Sequence, residues 1–389
     1  MILVDVDTLS VVSSVSFLLL WAVTAASAPK RELQNGSNSA SMGLILAGVL
    51  LAYFAAALPI FWVGWTLTGL PYILNWSGAG KNRKIALAAS SSLIAAACVL
   101  PSGQLAFAAM VLAALLRFGI FPFHFQILDT FEQTSLPALS LLLNSHLGAY
   151  LLIRFAIPLM PEIAVRWLPY LSLLALFTSV YAAVAALSES RPRRLLGLLW
   201  ISQAAFILGG IGNRTVEGIT GALVHWWVVA FSMSGMIAVY GAVEARTSEA
   251  AGPFTGNLGL GAHAPRLACF FAICGLALVG LPGTLGFVAE DLLFHGALVA
   301  QPLFGVALPL ATALNAVTVF RLFTTLFMGK QAALATPIPD ALPRERMALV
   351  MVVLLLVIGG LVPSVLIGLR IPSAARLTDM LAPQSVVHR

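Results

Sequence analysis

The sequence predicts an all-α protein that crosses a membrane many times. Sixty per cent of its 389 residues are hydrophobic and only 9% are charged. A soluble chain carries roughly a quarter charged residues. Mean hydropathy is +0.98, and apolar blocks of about twenty residues, the length that crosses a bilayer, recur from one end to the other. The formal charge of +6 therefore speaks of loop positions rather than of nucleic acid, because Lys and Arg collect in cytoplasmic loops.

In chain order, about twelve spans are expected: 10–28, 42–57, 59–77, 85–101, 104–131, 136–158, 167–188, 193–213, 215–243, 266–300, 303–329 and 346–369. The first follows an acidic start, Asp5 and Asp7, and lacks the basic leader of a signal peptide, so it reads as a retained span. The fifth and tenth are longer than a bilayer needs and carry Pro122 and Pro282 in their middles. Proline removes a backbone hydrogen bond and clashes with the preceding turn. In lipid the freed carbonyls are tolerated only where protein or a wet cavity satisfies them. Both segments are expected to be broken helices inside the bundle.

If the first span runs from outside to inside, the inner loops receive Lys30, Arg31, Lys81, Arg83, Lys84, Arg191, Arg193, Arg194, Arg246, Arg266, Lys330, Arg344 and Arg346. The outer side receives Arg154, Arg166, Arg214, Arg370, Arg376 and Arg389. This asymmetry puts both termini on the outer face, the periplasmic side of a bacterial inner membrane. The loops 29–41 and 244–265 are too short to fold alone, so residues 1–389 read as one transmembrane domain. Cys98, Cys269 and Cys274 lie in apolar spans without metal-ligand spacing. With no Walker loop, dinucleotide fingerprint or Fe–S cysteine set, no cofactor is expected. The chain must then draw energy from partners.

Ionisable groups inside a bilayer are costly unless paired or hydrated, which makes each a functional candidate. They are Arg117, His124, His146, His225, Glu290, Asp291, His295 and Arg321. His124, Asp291, His295 and Arg321 lie near span ends or breaks, where water or headgroups reach them. Arg117, His146, His225 and Glu290 fall nearer mid-span. Histidine titrates closest to neutral pH, and a carboxylate exchanges protons with it through water. Two histidines and a carboxylate on separate spans are the parts of a proton relay. Arg117 stays charged and can only bias the field around it.

The ordered stretches "VDVDTLSVVSSVSFLLLW", "FWVGWTLTGLPYIL", "LLRFGIFPFHFQILDTFEQTSLPALSLLL", "NSHLGAYLLIRF", "RRLLGLLWISQAAFILGGIG", "LVHWWVVAFSMSGM" and "GLPGTLGFVAEDLL" resemble the antiporter-like subunits shared by respiratory complex I, membrane-bound hydrogenases and multisubunit cation/proton antiporters. They are similar, in turn, to that family's third, fifth, broken seventh, eighth, tenth, eleventh and broken twelfth spans. Relative to the family's fourteen spans, the first two are expected to be missing. The resemblance implies proton movement through the membrane, driven by neighbouring membrane subunits and a soluble energy-supplying subunit. It places Glu290 at the ionisable position after the second break, His146 where relatives often carry lysine, and His225 at a histidine of the "H-x-x-x-x-A" stretch. Arg117 takes the place of the central lysine, and Thr66 that of the glutamate paired with it. An exchangeable carboxylate–ammonium pair is thus replaced by a hydroxyl and a permanent cation, so one half-channel is altered. Three functions remain open: a translocating or formerly translocating subunit, the membrane partner of an inorganic-carbon uptake complex, and a non-conducting scaffold. Neighbouring quinone-site or hydrogenase genes would favour the first, and a large zinc-enzyme gene the second.

Overall fold

The computed structural model describes residues 6–100, 102–247, 257–329 and 339–382. Asp5, Lys330 and Arg389 lie outside them. Among the described residues the chain is helical throughout. It opens with α1 (Thr8–Ser27), the short α2 (Lys30–Gln34), α3 (Gly36–Tyr53), α4 (Leu58–Ile73) and α5 (Lys81–Val99). The fifth predicted span is two half-helices, α6 (Gln104–Phe118) and α7 (Phe125–Gln133). Next come α8 (Leu136–Asn144), α9 (Leu147–Leu151), a π-turn over Leu152–Ala156 and α10 (Ile157–Leu159). The long α11 (Pro161–Ser188), α12 (Pro192–Gly212) and α13 (Val216–Thr247) follow. A second divided span is α14 (Pro265–Leu278) and α15 (Leu285–Ala300), and α16 (Pro302–Phe327), α17 (Pro343–Leu361) and α18 (Pro363–Leu381) complete the chain.

Side-chain distribution sets the layers. Helices α12 and α13 and the segment Leu136–Leu159 are buried almost all round, whereas α1, α3, α11 and α16 bury about half or less of their surface. A helix that is apolar on every face belongs inside, and these three form the centre. Where neither helix gains from leaving lipid, close backbone approach holds the pair. At the α3–α4 crossing a Cβ on Gly48 would stand 2.7 Å from the Gly64 carbonyl, a contact only glycine permits.

Both proline breaks are present. Helix α6 ends in Gly119, whose φ of +63° is the left-handed cap that glycine adopts without penalty. The chain turns through Pro122, with Phe123 N–H donating to the Ile120 carbonyl at 2.7 Å. One carbonyl freed by the break, that of Leu116, accepts Gln126 Nε2 at 2.5 Å, which meets the demand of buried backbone for a partner. At the second break, Thr284 closes the turn by donating its N–H and its hydroxyl to the Leu281 carbonyl.

One expected count is not confirmed, and two expectations are corrected. Seven helices are long and apolar enough to cross a membrane, or eight if the α17–α18 pair counts as one span. This measure does not confirm the expected count of twelve: the halves of both broken spans are too short to cross alone, and so is α4, with 16 residues. The last span does not run straight to residue 369: the chain bends by 83° between Leu361 and Pro363. Finally, Arg83 and Arg370, expected in loops, lie in α5 and α18 and are buried.

Candidate functional site

Arg117 lies in the last turn of α6, two residues before the cap, where the carbonyl end of the helix dipole favours a cation. Its Nη2 donates to Thr68 Oγ1 at 2.6 Å, and its guanidinium lies over the Trp65 ring, 4.8 Å from the centroid. Both partners come from α4, one turn apart. Thr66 does not face the cation; its hydroxyl bonds the Trp62 carbonyl at 2.8 Å and Ser91 Oγ at 2.6 Å. The charged neighbour of Arg117 is Arg83, whose Nη1 donates to Gln126 Oε1 at 2.5 Å.

His146 interrupts the sixth span. Its φ of +46° and ψ of +34° are left-handed, a conformation that few non-glycine residues adopt and that concentrates at functional positions. The imidazole is enclosed by rings: Phe118 at 5.7 Å, Trp200 parallel at 6.2 Å and Trp226 edge-on at 5.5 Å. Neither ring nitrogen has a hydrogen-bond partner among the described residues. Two residues earlier, Asn144 accepts Trp200 Nε1 at 2.9 Å and donates to Ser234 Oγ at 3.0 Å. Ser234 in turn bonds Ser140 at 2.8 Å. Ser140 and Ser234 line a cavity of about 460 Å³ together with Glu32, Arg193 and Glu244.

His225 sits in mid-α13 and is buried. Its ring packs on Phe206, and it adjoins the Gln203 backbone of α12. The Gln203 amide has no partner among the described residues. Beside it, Ser202 accepts Asn315 Nδ2 from α16 at 2.8 Å and donates to the Ser179 carbonyl at 2.9 Å. One turn earlier on α16, Thr312 adjoins Glu290. The Glu290 carboxylate lies against Gly280 in the second break, where a Cβ would stand 2.6 Å from its Oε2. Gly280 has φ +70°, so both its missing side chain and its backbone serve that approach.

The remaining candidates lie apart from this series. His124 Nε2 meets the Tyr181 hydroxyl at 3.2 Å, at the first break. Asp291 and His295 pair with each other at 3.4 Å on the outside of α15, with side chains 53% and 62% exposed. Arg321 donates to the carbonyls of Ala186, Leu187 and Glu189, which closes the end of α11. The sequence reading did not select Arg83, Tyr72, Asn144, Gln203, Thr312 or Asn315. Uncharged polar residues inside apolar runs were the available signal for the last four.

Residues 66–315 match the family described as "NADH:quinone oxidoreductase/Mrp antiporter, TM". The chain is 28% identical over 274 residues to NAD(P)H-quinone oxidoreductase chain 4 3 of Trichormus variabilis, covering 67% of this chain and 51% of that protein. It is 31% identical over 272 residues to NAD(P)H-quinone oxidoreductase chain 4 1 of Synechococcus sp. (strain JA-3-3Ab), covering 67% and 51%. The chain thus spans about half the length of the curated relatives it matches. Its fold is that of a chain in respiratory complex I from Thermus thermophilus with bound NADH (TM-score 0.85, 23% identity, 98% of this chain and 86% of that one). It is also that of a chain in the Mrp complex from Dietzia sp. DQ12-45-1b (TM-score 0.84, 18% identity, 97% and 86%). A match over most of the chain, with both broken spans in place, makes this protein a member of the antiporter-like membrane subunit family of NADH:quinone oxidoreductases and Mrp antiporters.

Proposed function

We propose that this chain is a proton-translocating subunit of a multisubunit energy-coupling complex, with His146, His225 and Glu290 as its titratable steps. The observation that carries the reading is the buried polar series itself. From the cavity lined by Glu32 and Glu244, Ser140, Ser234 and Asn144 extend to within two residues of His146; near His225, Gln203, the Ser202–Asn315 pair and Thr312 extend toward Glu290. Histidine nitrogens without protein partners are suited to water-mediated proton exchange. In this reading the flux depends on other membrane subunits and on a soluble energy-supplying subunit, as the family resemblance implies. Its place is the plasma membrane of a bacterium, with both termini on the outer face.

The test is Glu290→Gln, which keeps the side chain's size and removes its proton exchange. The variant assembles with its partners and loses complex-dependent proton uptake. Full flux from an assembled Glu290→Gln complex overturns the relay, and full transport by the purified single chain overturns the dependence on partners. A second reading, the scaffold, draws on one observation: Arg117 has a hydroxyl and an indole as neighbours, and no carboxylate pairs with it among the described residues. It predicts that assembly survives substitution at every relay position with no change in flux.

A further inference from the structure

Two buried guanidinium groups near the first break are linked through Gln126, which accepts from Arg83 Nη1 at 2.5 Å and donates to the carbonyl of Leu116, the residue before Arg117. Arg83 and Arg117 are 0% and 4% exposed, each is within electrostatic reach of Tyr72, and they repel one another. No carboxylate pairs with either among the described residues. Buried charges are ordinarily paired, because an uncompensated one is strongly destabilising. The carbonyl end of α6 supplies about half a unit of negative charge, which offsets part of one cation and leaves the other.

The donors not accounted for say what would complete the site. Arg83 uses Nη1 on Gln126, while its Nε and Nη2 have no partner among the described residues. Those two N–H groups are parallel and form the edge that grips two oxygens of one planar group. Arg117 uses Nη2 on Thr68 and has Nε and Nη1 without partners, and the Tyr72 hydroxyl has none. We propose that Arg83, Arg117 and Tyr72 form a binding site for a small planar oxyanion of the carboxylate type. Its single negative charge, together with the carbonyl end of α6, offsets most of the pair's charge, its two oxygens take the Arg83 edge, and Arg117 and Tyr72 donate to the remaining lone pairs. The enclosure of all three side chains favours a diffusible anion over a side chain from a neighbouring subunit. Lys81 and Asn82, two and one residues before Arg83, are exposed at the start of α5.

The site is independent of proton flux and is tested by binding alone. The full chain in nanodiscs is assayed with [14C]formate by scintillation proximity, with nitrate and chloride as competitors at fixed ionic strength. Saturable formate binding is expected, displaced by planar nitrate and at least tenfold less well by spherical chloride. Arg83→Lys keeps the charge and removes the parallel edge, and is expected to weaken binding at least tenfold with an unchanged size-exclusion profile. Arg83→Gln and Tyr72→Phe should weaken it in that order. Absence of saturable binding by the wild-type chain overturns the proposal, whatever the variants do. Equal displacement by chloride also overturns it, since the pair would then be a charge site blind to shape, and so would undiminished binding by a folded Arg83→Lys chain.

Discussion

The imidazole of His146 lies parallel to the indole of Trp200, their planes within 3° and their centroids 6.2 Å apart. The indole is fixed by its bond to Asn144, and the imidazole by a backbone turn that no proline or glycine imposes. A side chain held this way has one orientation toward Trp226 and Phe118. Two properties of the position, its conformation and its chemistry, are therefore separable.

Asparagine is among the few non-glycine residues that tolerate left-handed backbone. His146→Asn is expected to keep the melting temperature within a few degrees while removing proton uptake by the assembled complex. His146→Val places a β-branched residue at φ +46° and should cost about 1–3 kcal/mol. Thermal unfolding in nanodiscs, run beside the flux assay, separates the two; an Asn variant that melts as early as the Val variant contradicts the conformational argument.

Gly280→Ala tests the fit of the second break. The added methyl meets the Glu290 carboxylate at 2.6 Å and sits at φ +70°. The backbone cost is about 1–2 kcal/mol, and the carboxylate has to move. Proton uptake should fall about tenfold, equivalent to roughly 1.4 kcal/mol in the barrier, with assembly retained. Gly283→Ala, also at positive φ but with nothing near its Cβ, should lose stability and keep its flux.

How much of this was legible in the sequence follows from the kind of signal each residue gives. Pro122 and Pro282 announce the breaks because a missing N–H is a property of the residue itself. The turn at His146 has no such residue; tertiary contacts from Trp200, Trp226 and Phe118 impose it. Thr66 was read as the group before Arg117 from its place in the family pattern. On a helix, however, a shift of two residues moves a side chain to another face, and Thr68 holds the cation. Arg83 and Arg370 were read as loop charges because they flank apolar runs. Buried Arg370 instead lies over the Trp227 ring, 4.1 Å from its centroid. Cation–π contacts and arginine stems that reach inward leave no trace in a hydropathy window.

The loop between α11 and α12 gives a pH-dependent prediction. Burial raises the Glu189 pKa, but hydrogen bonds from the Arg191 and Ser190 backbone and from the Arg191 and Arg194 side chains outweigh it and bring it down to about 2. An unfolded glutamate titrates near 4.3, so the ionised folded form is stabilised above that value. The contribution is lost as pH falls toward 2. Glu189→Gln should be less stable than wild type by on the order of 1 kcal/mol at pH 6, and the difference should close between pH 4.5 and about 2. A difference that stays constant across that window contradicts the assignment.

The final prediction decides which threonine serves Arg117. Thr68→Val removes the acceptor of a buried charged donor whose Nη2–Oγ1 distance is 2.6 Å, and it replaces the hydroxyl by a methyl of similar shape. A buried donor left without a partner costs about 1–3 kcal/mol, with charged donors at the upper end. Thr66→Val removes bonds to the Trp62 carbonyl and to Ser91. There, Ser91 still accepts Trp62 Nε1, through its hydroxyl at 3.1 Å and its carbonyl at 3.0 Å. That change should cost less than about 1 kcal/mol, since both lost bonds belong to one neutral hydroxyl and Ser91 keeps a partner. If Arg117 is replaced by methionine first, the Thr68→Val penalty should shrink to near zero, while the Thr66→Val penalty should stay as it was. Such a double-mutant cycle isolates the pair because the two threonines answer to different partners. A Thr68→Val cost that survives the loss of Arg117, or a Thr66→Val cost that vanishes with it, would return the pairing to Thr66.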